Sequence, residues 1–244
     1  WITAADFPNV NIDLISGMVG ETWDNWKMNV DKTLELSPES VTIYQMELPF
    51  NTVYSKDILG NQVESPVADW DTKRAWVEYA FGEFEKAGYS VSSAYTVVKD
   101  PTKVNFSYRD NLWQGADLLA TGIASFGHAN GVHYQNLADL EKYLTTIESG
   151  KLPLGRGFVP SSHQQLVREM ILLLKRGYLD VGYFREKFGV DIREEFSEQW
   201  QSYVTDGYVK LNGDAIELTQ AGLLRVDALL PPFFEVEFQG VRYT

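Results

Sequence analysis

The succession of elements between residues 9 and 46 constrains the fold most. Val10, Ile12 and Leu14 alternate with Asn11, Asp13 and Ile15, the period of a strand, and the run closes at Gly17. From Glu21 the apolar positions Trp23, Trp26, Val30 and Leu34 recur at helical spacing, with the acids Glu21 and Asp24 where a helix N-terminus favours negative charge. Ser37-Pro38 ends that helix, and residues 41–46 read as a second strand. Strand, helix and strand joined by short connections imply a βαβ unit, hence a parallel sheet and an α/β fold.

The pattern continues with a long Pro-, Gly- and Asn-containing loop over 48–67, a helix over 68–87 ending at Gly88, and a strand over 89–98. An apolar, Gly-interrupted stretch follows at 117–126, then a helix over 137–148. Pro153, Gly155, Gly157 and Pro160 mark a shift of composition, so 1–150 reads as one domain, 151–160 as a linker and 161–244 as a second domain. In the second domain helices are expected at 162–176, 181–188 and 192–206. Two strands flank the turn Asn212-Gly213-Asp214, and a last helix begins near Gln220. Three helices and a hairpin make a winged-helix-like module.

Such modules often bind DNA, but charge argues against it. From 160 to 244 there are 9 Lys and Arg against 13 Asp and Glu, and the third helix carries Glu194, Glu195 and Glu198. The whole chain is acidic, at net −13, which disfavours nucleic acid and anionic membrane surfaces as partners. No apolar run approaches the roughly 20 residues that span a bilayer, and the N-terminus has no basic-then-apolar signal pattern, so a cytoplasmic protein without nucleic-acid or membrane partners is expected. There is no Cys, which excludes thiol nucleophiles, disulfides and thiolate-held metals or clusters for these residues. The chain opens at Trp1, directly before a strand, and reads as a fragment.

Several segments in order resemble one family. Asp13-Leu-Ile-Ser-Gly-Met, Pro38-Glu-Ser-Val-Thr-Ile-Tyr-Gln-Met, Gly88-Tyr89, Trp113 and Leu118-Leu-Ala-Thr-Gly-Ile-Ala-Ser-Phe-Gly resemble corresponding segments of oxygen-independent coproporphyrinogen III oxidases and their relatives. These are radical S-adenosylmethionine enzymes. The resemblance implies the C-terminal part of a partial (β/α)6 barrel followed by a small helical, winged-helix-like cap. It also implies two cofactors, S-adenosylmethionine and a [4Fe-4S] cluster whose Cys-x-x-x-Cys-x-x-Cys loop would lie in a preceding segment. The implied reaction is oxidative decarboxylation of propionates to vinyl groups on a tetrapyrrole, with flavodoxin or ferredoxin as electron donor. Two other readings stay open, a haem-binding transfer protein on the same fold and a radical C-methylase or cyclopropanase.

The resemblance also proposes roles for individual residues. Asp13, in an otherwise apolar strand where burying a carboxylate needs a partner, would lie beside S-adenosylmethionine, or else cap the next helix. Thr42, Tyr44 and Glu47 are expected on one face of the following strand, with Glu47 near the adenine or simply solvated. Phe126 would add a stacking wall to the cofactor pocket and Ser125 would line the substrate side, unless both pack a core. Thr52 matches a turn residue. Tyr108-Arg109-Asp110-Asn111-Leu112-Trp113 departs from the family's His-Asn-x-x-Tyr-Trp run, which places the chain in a divergent branch. Arg109 would pair with a propionate carboxylate, since a guanidinium binds carboxylates bidentately, or with Asp110. His128 and His133, five apart on a Gly-containing loop, would ligate a metal or haem iron or serve as hydrogen-bonding loop residues. His163 has no assigned role.

Overall fold

In the computed structural model, residues 2–47, 53, 56–57 and 67–239 are described. The expected loop over 48–67, with Thr52, lies largely outside the described residues.

The βαβ unit forms as expected. Strands β1 (Asn11–Ser16) and β2 (Ser40–Gln45) pair in parallel, Asp13 opposite Thr42 and Ile15 opposite Tyr44. Helix α1 (Trp23–Leu36) crosses between them. Thr22 caps it by accepting from the Asn25 amide, and it ends at Ser37 in the left-handed conformation. Helix α2 (Trp70–Lys86) follows, capped by Asp69. The sheet differs from expectation at its far side. Residues 89–98 are not one strand but the hairpin β3 (Ser90–Ser93) and β4 (Thr96–Val98), and β4 runs antiparallel to β2, giving the order β1-β2-β4-β3. Only Ala94 and Tyr95 separate the two strands, too few for the crossover that parallel pairing requires.

Both helices cover the same face of this sheet. Trp26, Val30, Trp76, Ala80, Phe81 and Phe84 pack on Val41, Ile43 and Val97, and the Trp26 indole donates to the buried Trp76 carbonyl at 2.7 Å. The other face carries the alternate residues: Asn11, Asp13, Ile15 and Tyr44 are exposed, whereas Ser40 and Thr42 are buried. One side of the sheet is therefore apolar and the other mixed, with Ile15 and Val98 beside its polar groups.

After α3 (Ser107–Trp113), a second sheet forms from β5 (Phe126–Ala129), β6 (Val132–Asn136) and β7 (Leu154–Phe158), all antiparallel, with α4 (Leu140–Glu148) between the last two. Strand β7 falls inside the stretch expected to be a linker. Its Gly-x-Gly is a packing device: a Cβ on Gly155 would meet the backbone of Gln135 and Leu137 at 3.3 Å, so glycine permits the close pairing with β6.

Helices α5 (Ser162–Leu174) and α6 (Val181–Phe188), joined by the short strand β8 (Tyr178–Asp180), open the winged-helix-like region. Ser161 and Gln164 form a reciprocal capping box at the start of α5. The single helix expected over 192–206 is split into α7 (Ile192–Glu195) and α8 (Ser197–Thr205). The break is at Phe196, whose ring leaves the helical path to pack edge-on against Phe233 in the core. Strands β9 (Val209–Asn212) and β10 (Ala215–Leu218) make the wing around Gly213, whose φ of +57° suits the Asn-Gly turn, and β8 joins them. Two short helices, Gln220–Leu223 and Val226–Leu229, follow. The two cores interlock, because Ala94 at the β3–β4 tip belongs to the C-terminal core and Leu224 to the sheet core.

Candidate functional site

The polar face of the first sheet is the starting point. Asn11 organises it: its Oδ1 accepts from the Ser40 hydroxyl at 2.8 Å and the Thr42 hydroxyl at 3.1 Å, while its Nδ2 donates to Asp13 Oδ1 at 2.6 Å. Asp13 is exposed, so the expectation of a buried carboxylate needing compensation is corrected. It sits on β1, the edge strand of the described sheet, and Asn11 is the side chain that bonds to it. Nor does it cap α1, a task done by Thr22. Its free lone pairs point to solvent and can accept from hydroxyl or ammonium groups.

Tyr44, two residues along the same face from Thr42, leads from this surface into a cavity of about 660 Å³ beyond the C-terminal end of β2. Tyr44, Glu47, Trp70, Tyr95, Lys175 and Arg225 line it. Ligands gather at the C-terminal ends of parallel barrel strands, where loops rather than ladder bonds occupy the backbone. Glu47 lies past the end of β2 and does not alternate with Thr42 and Tyr44, contrary to expectation, but it reaches the same cavity. Beside it, Lys73 donates to the Met46 carbonyl at 2.9 Å and lies 3.6 Å from the centre of the Trp70 ring. Burial lowers the Lys73 pKa from its ordinary value, against the pull of Glu47.

The opposite wall of the cavity comes from the C-terminal region. The Tyr95 hydroxyl donates to both Asp227 oxygens at 2.7 and 2.8 Å, and Lys175 Nζ lies 3.2 Å from the same carboxylate. Burial, then the Asp227 charge, pushes the Tyr95 phenol far above its usual range, so it stays protonated as a donor. Arg225 donates to the Tyr208 hydroxyl at 2.8 Å over the ring. The lining thus mixes aromatic rings (Tyr44, Trp70, Tyr95) with cations (Arg74, Lys175, Arg225) and carboxylates (Glu47, Asp227), which suits a ligand that combines a flat ring with polar groups.

The other expected residues lie elsewhere. Arg109 on α3 is held between the rings of Phe106 and Trp113, 4.5 and 5.1 Å from their centres, and donates through Nε to Asp110 at 2.8 Å. Its Nη1 is buried with no partner among the described residues. Ser125 donates to the Thr121 carbonyl at 2.7 Å, and Phe126 opens β5 with 65% of its surface exposed, which excludes core packing for that ring. No hydrogen bond or ion pair among the described residues joins Ser125, Phe126 or Arg109 to the Asp13 face. His128 and His133 face each other across β5 and β6 with ring centres 4.5 Å apart. His128 is buried and its Nδ1 lacks a partner, and burial, Arg168 and His128 together lower the His133 pKa. Among the described residues no group of three or more His, Cys, Asp or Glu is placed to hold a metal.

Sequence reasoning missed the Tyr95–Asp227–Lys175 cluster, which joins residues 132 positions apart and carries no local signal. It also missed Glu169, for which a signal existed. Glu169 lies in the apolar stripe of α5 with Leu166, Met170 and Leu173, a carboxylate where the helical period requires an apolar side chain.

With fold and site described, the resemblances can be placed on them. The family described as HemN C-terminal domain matches residues 161–225, the winged-helix-like region. The chain is 22% identical over 241 residues to an oxygen-independent coproporphyrinogen III oxidase of Pseudomonas aeruginosa, covering 91% of this chain and 51% of that protein. It is 26% identical over 221 residues to the heme chaperone HemW of Lactococcus lactis, covering 89% of this chain and 56% of that one. The solved structure of coproporphyrinogen III oxidase (HemN) from Escherichia coli, a radical SAM enzyme, superimposes with a TM-score of 0.74 at 19% identity, over 95% of this chain and 56% of that one. The fold is therefore the mixed α/β fold of the corresponding part of a radical SAM enzyme. More particularly, the chain is similar to oxygen-independent coproporphyrinogen III oxidases and to HemW along nearly all of its length. It spans about half the length of these relatives.

Proposed function

We propose that these residues form the tetrapyrrole-handling part of a radical S-adenosylmethionine enzyme that oxidatively decarboxylates propionates to vinyl groups. The observation that carries this reading is the exposed Asp13 on a strand face that it shares with Tyr44, which lines a cavity of aromatic and charged side chains. In this reading Asp13 and Glu47 accept hydrogen bonds from the cofactor's polar groups, and Phe126 offers an exposed ring for stacking. Arg109, with its unpartnered Nη1, binds a propionate, and Ser125 lines the substrate side.

S-Adenosylmethionine, when bound, supplies the radical that removes a substrate hydrogen. The chain's own residues bind, orient and exclude water. With no Cys among them, these 244 residues do not fit the [4Fe-4S] cluster, and no step through it is derived. Flavodoxin or ferredoxin as electron donor and a cytoplasmic setting belong to the same proposal. No described helix is long and apolar enough to cross a membrane.

The paired His128 and His133 favour a second reading, a haem carrier, since an orphaned imidazole nitrogen suits an iron or a propionate. Anaerobic incubation of the full-length, cluster-loaded protein with S-adenosylmethionine and coproporphyrinogen III separates the two. Deoxyadenosine with vinyl product supports the oxidase. Haem retention without turnover supports the carrier and overturns the oxidase, and a methylated product supports a C-methylase.

A further inference from the structure

A second cavity, of about 250 Å³, lies between β7, α5 and the segment after Pro231. None of its lining residues belongs to the Asp13 face, and the proposed oxidase reading does not use it. Phe158, Val167, Phe234 and Phe238 supply apolar wall, and His133 and Arg168 supply polar groups. Gln164 and Glu235 also reach it, but they are occupied. Gln164 donates to Glu235 at 2.7 Å, and His163 Nδ1 stands 3.5 Å from the other Glu235 oxygen.

Arg168 is different. Among the described residues it makes no hydrogen bond or ion pair, although it is partly buried. Glu169, the neighbouring carboxylate, accepts instead from Lys187 and Tyr183. Burial disfavours the charged guanidinium, against the pull of the neighbouring Glu169 charge. Burial and the Arg168 charge likewise disfavour protonation of His133, which stays a neutral imidazole able to donate or accept once. The cavity thus presents one fork of N–H donors with no hydrogen-bond partner among the described residues, one neutral imidazole and three phenyl rings, beside the engaged Gln164–Glu235 pair.

We infer that this cavity binds a small aromatic carboxylate, its carboxylate on the Arg168 fork and its ring among Phe158, Phe234 and Phe238. A carboxylate matches the guanidinium bidentately, and offset or edge contacts with the phenyl rings favour an aromatic body over an aliphatic one.

The probe is 2-naphthoate, with 2-naphthamide as its uncharged counterpart, titrated into the protein by calorimetry. The acid binds saturably at one site and at least tenfold more tightly than the amide, a difference of about 1.4 kcal/mol. Arg168→Gln weakens the acid at least tenfold, leaves the amide within twofold and does not move the thermal midpoint. Arg168→Lys keeps the charge without the fork and gives an intermediate loss. The inference is overturned if the acid fails to saturate at millimolar concentration, if the amide binds as well as the acid, or if Arg168→Gln weakens both ligands equally.

Discussion

Lys187→Met removes one partner of the ion pair whose carboxylate is the most buried among the described residues. Glu169 is 5% exposed, and its two oxygens lie 2.9 and 2.8 Å from Lys187 Nζ; the Tyr183 hydroxyl adds a donor at 2.6 Å. Lys187 also donates to the Gln114 carbonyl at 2.8 Å, so this cluster fastens the end of α3 to the C-terminal region. Gly115 packs so closely that a Cβ there would lie 2.2 Å from Glu169 Oε1. Breaking a buried pair from one side costs about 3–5 kcal/mol, because the remaining charge stays desolvated. The Lys187 side chain is 38% exposed, so water entering from its side screens part of that cost and about 2 kcal/mol remains. For a chain of this size that lowers the thermal midpoint by about 4–8 °C. Glu169→Leu combined with Lys187→Met removes both charges and recovers part of the loss, so the double variant is more stable than Lys187→Met alone. Thermal and urea unfolding followed by circular dichroism measure both. A Lys187→Met midpoint within 1 °C of the parent, or a double variant less stable than the single, would show that the buried Glu169 charge does not depend on Lys187.

Other predictions concern pH and packing. Asp191 is held below its ordinary 3.8 first by Arg193, against some burial, and then by Arg185. Its contribution is complete above about pH 4 and is lost as pH falls further, so Asp191→Asn flattens the acid limb of a stability-against-pH curve measured by urea unfolding. His133 is held below 6.5 by burial, Arg168 and His128, so the unfolded chain takes up this proton more readily. Stability therefore declines as pH falls below about 6.5, and His133→Gln reduces that decline between pH 6.5 and 5. A Cβ on Gly222 would lie 2.2 Å from the Tyr208 carbonyl oxygen, so Gly222→Ala should cost about 1–3 kcal/mol in the same unfolding assay.

Periodicity made the β1–α1–β2 unit and α2 legible, because each buries one regular face. The Asn212-Gly213 turn did the same for the wing. The β3–β4 hairpin escaped because its tip, Ala94-Tyr95, contains none of the usual turn residues and is set by tertiary contacts, the Ala94 amide donating to the Lys175 carbonyl at 2.8 Å. Strand β7 escaped because Gly155 and Gly157 resemble linker composition, whereas their role is close backbone approach. At the site, Asp13 and Tyr44 shared a face as alternation requires. The exposure of Asp13 was not legible, since whether a strand face is covered depends on elements far away in sequence. Arg168 stands beside Glu169, and nothing in their order tells which one finds a partner.

Whether the Asp13 face receives the cofactor is read from the dissociation constant of S-adenosylmethionine for the cluster-loaded full-length protein and its Asp13→Ala variant. Losing a charge-assisted hydrogen bond, worth about 1.5–3 kcal/mol, should weaken binding roughly 10- to 100-fold. Cluster content and thermal midpoint should not change, because Asp13 is exposed and bonds to Asn11 alone. Unchanged affinity in a folded, cluster-loaded variant would exclude Asp13 from the cofactor site.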